Sequence, residues 1–241
     1  MVVCSRGIKN ILLFLLVMCK SVSCQQRFVA SFQKDIEGSF SATSDVWIEF
    51  SKKIPPFEQF TACHWIKIKF YNLKVAANLW SYCTIKDSGD KMRCLQAFMT
   101  GNLQTANRDL VFQVEIPLKN SQKFKNIKMN VKFFRHRTWT HFCWIFSGIT
   151  GISKLYYDGI LLQTEKINLD GLDLTIKDAN NIYDVAFIFG QEPDSMRGGF
   201  DNQQAFLGDL SELNLWNYTM QDIDVLQMAS CRDGRKGNIV A

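Results

Sequence analysis

DVAFIFGQEPDSMRGGFDNQQAFLGDLSELNLWN, residues Asp184 to Asn217, reads as two strands and the loop that joins them. Val185 to Phe189 is an apolar run, the pattern of a buried strand, and Leu207 to Trp216 is a second strand of alternating character. The loop between them is dense in oxygen: Glu192, Asp194 and Asp201 supply carboxylates and Gln204 an amide. Pro193 ends the first strand because it has no N–H to donate, while Gly190, Gly198 and Gly199 open backbone angles that other residues resist. A flexible loop of this chemistry suits a hard cation, since calcium takes about six to eight oxygens from carboxylates, amides and main-chain carbonyls. The competing reading is a solvated acidic connection with no ligand.

Working outward, the remaining pattern is β throughout. Candidate strands fall near 27–33, 45–52, 60–70, 78–85, 92–99, 110–116, 127–134, 139–146, 153–158 and 160–165, with Asp158-Gly159 a strong hairpin turn. Many short strands separated by turn signals predict a two-sheet antiparallel sandwich rather than a parallel sheet. Only Met220 to Ala229 reads helical, with Ile223, Leu226 and Gln227 on one side and Thr219 placed to cap its start. The 241 residues are 47% hydrophobic, enough for one sizeable core, and neither a linker nor a repeat divides them.

Residues 1–24 have the pattern of a secretory signal: Arg6 and Lys9, then the eight apolar residues Ile11 to Met18, then the small-residue end Val22-Ser23-Cys24. That run is too short to span a bilayer, and the mature domain is expected to be 25–241, starting near Gln25. Loss of Arg6, Lys9 and Lys20 takes the bases from 28 to 25 against 23 acids, a net charge of +2, which gives nucleic acid no support as a partner. The basic segment Lys119 to Arg137 instead alternates, with Ile127, Met129, Val131 and Phe133 facing one way and Lys128, Asn130 and Lys132 the other, as in a half-buried strand.

Five cysteines follow the leader. Cys83 and Cys94 lie symmetrically about Ser88-Gly89 in SYCTIKDSGDKMRC, so a hairpin there sets them opposite each other, ready to pair. Cys231 is left in the tail, either free or bridged to another chain. Asn217-Tyr218-Thr219 is the one glycosylation sequon, at the turn between the last strand and the helix.

At 190–216 the sequence resembles the pentraxin family, the group of C-reactive protein and serum amyloid P component, whose loop reads Gly-Gln-Glu-x-Asp-Ser. Gly190, Gln191, Glu192, Asp194 and Ser195 match it, and Gly198, Phe200, Gln204, Leu207, Gly208, Asp209, Asn214 and Trp216 continue the match without a gap. The resemblance implies a jelly-roll sandwich and one or two calcium ions held by Glu192, the carbonyl of Pro193, Asp194, Asp201 (usually Glu) and Gln204. A further Asp-Asn pair of the family falls at Ser88 and Gly89, so Asp87 or Asp90 would have to serve after a shift of one residue. HFCWIFSGITG resembles the family signature His-x-Cys-x-Ser/Thr-Trp-x-Ser/Thr but keeps only His141 and Cys143, departing at Ile145, Phe146 and Gly148. The resemblance also implies that Cys63 pairs with Cys143. Cys63 shares strand parity with Lys67 and Lys69, which places such a bridge on the outer face of its sheet.

No catalytic constellation stands out: His64, His136 and His141 lack zinc-ligand spacing, and no Gly-x-Ser-x-Gly or phosphate loop occurs. A jelly-roll glycoside hydrolase would need two carboxylates across a sugar, but Pro193 between Glu192 and Asp194 denies them a central strand. The expectation is therefore a secreted lectin-like protein, not an enzyme, that binds phosphocholine, phosphoethanolamine or anionic carbohydrate through calcium and assembles into a ring. The alternative is a metal-independent, laminin-G-like adhesive module that binds protein partners.

Overall fold

The computed structural model describes residues 29–32, 34–36, 39–41, 44–45, 47–50, 58–69, 72–85, 92–102, 109–119, 123–132, 134–135, 137–172 and 184–238. The leader, Asp87, Asp90 and His136 lie outside the described residues. The strands are β1 Val29–Ser31, β2 Lys34–Ile36, β3 Ser39–Ser41, β4 Ile48–Phe50, β5 Gln59–Ile68, β6 Asn72–Ile85, β7 Arg93–Asn102, β8 Asp109–Pro117, β9 Phe124–Val131, β10 Thr140–Ser147, β11 Ile152–Tyr157, β12 Ile160–Lys166, β13 Asp184–Phe189 and β14 Gly208–Trp216. One helix follows, α1 Asp222–Ala229.

Two six-stranded antiparallel sheets form the sandwich, in the orders β1-β14-β5-β10-β11-β12 and β4-β13-β6-β7-β8-β9, and β2 with β3 makes a separate hairpin. The two strands of the Asp184–Asn217 stretch thus belong to different sheets, and the acidic loop is the crossing between them. The sheets meet over one apolar core in which Phe60, Trp80, Phe112, Phe142, Trp144, Phe187 and Phe189 interdigitate. Phe60 stands edge-on to Trp144 at 4.6 Å between ring centroids, and Trp80 stacks on Trp144 at 5.8 Å, offset and edge geometries that aromatic quadrupoles favour. β9 shows why an edge strand can be basic: Ile127, Met129 and Val131 are buried while Lys128 and Asn130 lie in water.

The outer face of the first sheet carries a second apolar cluster. Cys63 and Cys143 face each other in register and are joined, and Ile145, Tyr156 and Trp216 surround the bridge. Met220, Val225 and Met228 close over them, so every residue of β10 is buried on both sides. This corrects two readings of the helix. Its docking face is Val225 and Met228, while Ile223 and Leu226 are exposed by 53% and 46%. The residue at the N-cap is Gln221, with no side-chain cap, rather than Thr219. The first turn is held instead by Asp222, which accepts hydrogen bonds from the Tyr156 hydroxyl at 2.6 Å and the Lys154 ammonium at 2.8 Å, a carboxylate favoured by the helix dipole.

Beside this cluster Asp209 ties three strands together. Its buried carboxylate takes the Ser31 hydroxyl at 2.7 Å, Lys69 at 2.9 Å and Lys67 at 3.0 Å, from β1, the end of β5 and β5 itself. Burial alone would raise its pKa, but the hydrogen bonds from Lys69, Ser31 and Lys67 hold it below the usual carboxylate range.

Candidate functional site

The loop begins at Gly190, where φ is +82° and an added Cβ would lie 2.2 Å from the Phe32 ring, so only glycine fits. Its N–H donates to the Leu79 carbonyl at 3.0 Å and its carbonyl accepts from Phe206 at 2.9 Å, which brings the loop's start and return together. Between these ends the backbone pinches at Ser195 and Gly198, paired through both N–H groups at 3.1 and 3.0 Å. Arg197, at the tip of that turn, reaches Glu49 at 2.6 Å. On the return Asp201 bends the chain: its Oδ1 accepts from the Gln203 N–H at 2.9 Å, and its carbonyl accepts from Gln204 and Ala205. The Gln204 carbonyl then takes the Asn78 N–H at 2.8 Å, fixing the return to β6.

Beneath the loop, the outer face of the second sheet forms a polar floor. Asn78 Nδ2 and Gln96 Nε2 both donate to Ser81 Oγ, at 2.9 and 3.2 Å, and Ser81 Oγ donates to the Gln191 carbonyl at 3.4 Å. Gln96 Nε2 also donates to Glu192 Oε1 at 3.1 Å. Gln96 stands opposite Glu115 across β7 and β8, and Gln113 donates to Glu115 at 2.9 Å. Asn78, Ser81, Gln96 and Gln191 are all buried. The buried oxygens in this setting without a protein donor include Asn78 Oδ1 and Glu192 Oε2. A buried oxygen left without a donor costs roughly 1–3 kcal/mol, so a group that supplies positive charge there gains that much. Burial raises the Glu192 pKa, Gln96 opposes the rise, and the charges of Asp194, Glu115 and Asp201 add to it. Negative charge thus converges on Glu192, an environment that favours a proton or a metal ion.

Of the residues expected to hold calcium, Glu192, Asp194 and Asp201 converge enough to sense one another, with Asp194 and Asp201 exposed and Glu192 half-buried. Pro193 is buried between Glu192 and Asp194, and Gln204 is half-buried on the return. The three carboxylates are not tightly clustered. Among the described residues, the trio of His, Cys and acidic side chains whose ligand atoms lie within 4.8 Å of one another is Cys63, His141 and Cys143. That trio offers no metal site in the oxidised protein, because its two sulfurs are bonded to each other and no thiolate is available. His141 packs against Trp65 at 5.1 Å between ring centroids. The donors at the loop are all hard oxygens, and they fit calcium.

Asn78, Ser81, Gln96 and Glu115 did not stand out in the sequence. Gln96 had a signal, a polar residue between Leu95 and Ala97 whose parity is opposite to the core face, but nothing local tied it to a loop 96 positions away. Cys83 and Cys94 are directly opposite in β6 and β7 and are joined, 4.1 Å apart at Cα, beside this floor.

The sequence profile of the Pentaxin family matches residues 38–241. The chain belongs to that family. Among pentraxins it is 26% identical to the neuronal pentraxin receptor of Rattus norvegicus over 189 residues, 78% of this chain and 33% of the receptor. It is 23% identical to C-reactive protein 1.4 of Limulus polyphemus over 178 residues, 74% of this chain and 64% of that protein. The chain therefore spans about a third of the receptor and just under two thirds of the C-reactive protein. A heptameric SAP-like pentraxin from Limulus polyphemus superposes with a TM-score of 0.64, covering 88% of this chain and 86% of its own at 22% identity, and shares the fold.

Proposed function

We propose that this chain is a secreted, calcium-dependent recognition protein of the lectin type, binding rather than catalytic. The observation that carries the reading is Glu192: a carboxylate crowded by Asp194, Asp201 and Glu115, with Oε2 lacking a donor, beside Asn78 Oδ1 in the same state. One or two calcium ions would be held by Glu192, the Pro193 carbonyl, Asp194, Asp201 and Gln204, with Asp87 or Asp90 completing the set. Calcium would supply there a positive centre with ligand positions open to an outside anion. Gln96 positions Glu192, and Asn78 fixes Gln204 through its main chain. The ligand class is phosphocholine, phosphoethanolamine or an anionic carbohydrate, whose phosphate or carboxylate oxygen would sit on the ion. Among the described residues no helix is long and apolar enough to cross a membrane, which accords with the secretory leader. A cyclic assembly is supported by the Limulus neighbour, described as heptameric.

Passage of the secreted protein over immobilised phosphocholine and over a sialylated glycan tests this. Retention on one of them in calcium, elution by chelator, and loss of retention in Asp194→Asn are expected. Retention on neither, or retention that survives chelator, contradicts the reading and leaves the adhesive module.

A further inference from the structure

Trp47 stands one position before β4 and brings an exposed indole to the rim of the acidic loop. Glu49 of β4 is opposite Ile188 of β13, Ile188 is opposite Ser81 of β6, and Ser81 is opposite Gln96 of β7, so the four form one row on the outer face of the second sheet. Trp47 has the parity of Glu49 and turns to that same face, while Ile48 packs against the core. Two residue steps along the strand and two strand spacings across put Trp47 about 12 Å from Ser81, beside which Gln96 holds Glu192.

Three contacts fasten this segment to the loop. The Trp47 ring lies 5.2 Å between centroids from that of Phe200, Arg197 at the loop tip reaches Glu49 at 2.6 Å, and the Ser44 N–H donates to Asn202 Oδ1. Phe200 itself stands between loop acids: Asp201 follows it, and at Gly199 before it an added Cβ would lie 2.9 Å from Asp194 Cβ. Trp47 is nevertheless 44% exposed, whereas the other five tryptophans are buried or half-buried. A lone apolar side chain in water is ordinary on a protein surface. An indole oriented by ties to a loop of carboxylates, and still open to water, has the form of a recognition platform.

We infer that Trp47 is the stacking platform for an anionic sugar ring whose carboxylate sits on the calcium proposed at Glu192, Asp194 and Asp201. This rests on the calcium reading and narrows its ligand to a carboxylated pyranose. One face of a pyranose is lined by C–H groups, whose positive ends rest on the electron-rich face of the indole while the hydroxyls stay in water. A trimethylammonium head fits less well, because it is held best by rings on several sides. Among the described residues the ring beside Trp47 is Phe200 alone, and the Arg197 cation lies on the same face at Glu49.

Calorimetric titration of the secreted protein tests the assignment, with sialyllactose in calcium, with lactose in calcium, and with calcium alone. Binding of sialyllactose but not of lactose is expected in the wild type. Trp47→Ala is expected to weaken sialyllactose about tenfold and Trp47→Phe by less, with the calcium heat unchanged in both. An unchanged sialyllactose affinity in Trp47→Ala overturns the inference, and so does loss of its calcium heat, which would make Trp47 a support of the loop. Wild-type protein that binds calcium but no sialyllactose, or binds lactose equally well, also overturns it while leaving the calcium site in place. No calcium heat in the wild type overturns both readings.

Discussion

The two sheets turn very different outer faces to the world, and each carries a cross-strand disulfide. On the first, Cys63–Cys143 lies under Met220, Val225 and Met228, and the acids nearby are matched, Asp209 by Lys67 and Lys69 and Asp222 by Lys154 and Tyr156. On the second, Cys83–Cys94 borders a floor of amides and hydroxyls, and above it Glu192 is crowded by the charges of Asp194, Glu115 and Asp201. Satisfied charge and apolar cover stabilise the first face. The second holds repulsion between carboxylates, which the proposed calcium would relieve. The comparison teaches that one sandwich can use the same device, a bridge between neighbouring strands, beneath a structural lid and beside the proposed binding surface.

Removing the buried bridge has the largest expected effect. The Cys63→Ala, Cys143→Ala double variant opens a loop of 80 residues and is expected to lose about 4 kcal/mol, against about 3 kcal/mol for Cys83→Ala, Cys94→Ala, whose loop is 11 residues. Denaturant unfolding without reductant measures both, and an equal loss would break the distinction between lid and border. Next is Asp209→Asn, which leaves Lys67 and Lys69 near a neutral amide. A loss of about 2–3 kcal/mol at neutral pH is expected, the lower end for a buried pair because both lysines are partly exposed. Because the Asp209 pKa is lowered, its contribution is present at neutral pH and fades only as pH falls below the ordinary carboxylate range.

How much of this was legible in the sequence depends on whether the signal was local. The Val185 to Phe189 run and the oxygen-rich loop lie together in the chain, and the alternation of Cys63 with Ile66 and Ile68 already pointed outward. That β13 and β14 enter different sheets was not legible, since strand periodicity carries no partner. The polar floor was hidden for the same reason: Asn78 and Ser81 come from one strand, Gln96 from another and Glu192 from the loop. The helix start was misread because a tertiary tie, Asp222 to Tyr156 and Lys154, did what a capping side chain would have done.

Two smaller effects sharpen the contrast. Burial lowers the pKa of His64 to about 4, and burial together with the charge of His64 lowers that of His141 to about 3. The unfolded chain takes up these protons below about pH 6.5 and the folded one does not, so stability falls by about 1.4 kcal/mol per pH unit for each histidine as pH drops. His64→Leu should remove its share of that slope between pH 6 and 4, and an unchanged slope would contradict the burial. Glu192→Gln has the opposite sign. With a raised pKa, the ionised Glu192 destabilises the calcium-free fold as pH rises, so the amide is expected to raise the neutral-pH melting temperature in chelator by a few degrees, about 1 kcal/mol or less. No rise, or a fall, would mean that the loop acids do not repel.

The central claim is that this second face is a calcium site, and titration calorimetry of calcium into the secreted protein at neutral pH tests it most directly. The account predicts a saturable heat with a dissociation constant on the order of 0.1–1 mM, suited to the extracellular concentration. That heat should vanish in Glu192→Gln and weaken as pH falls through the raised pKa of Glu192, where protons displace the ion. No calcium heat in the wild type, or an equal heat in Glu192→Gln, would contradict it.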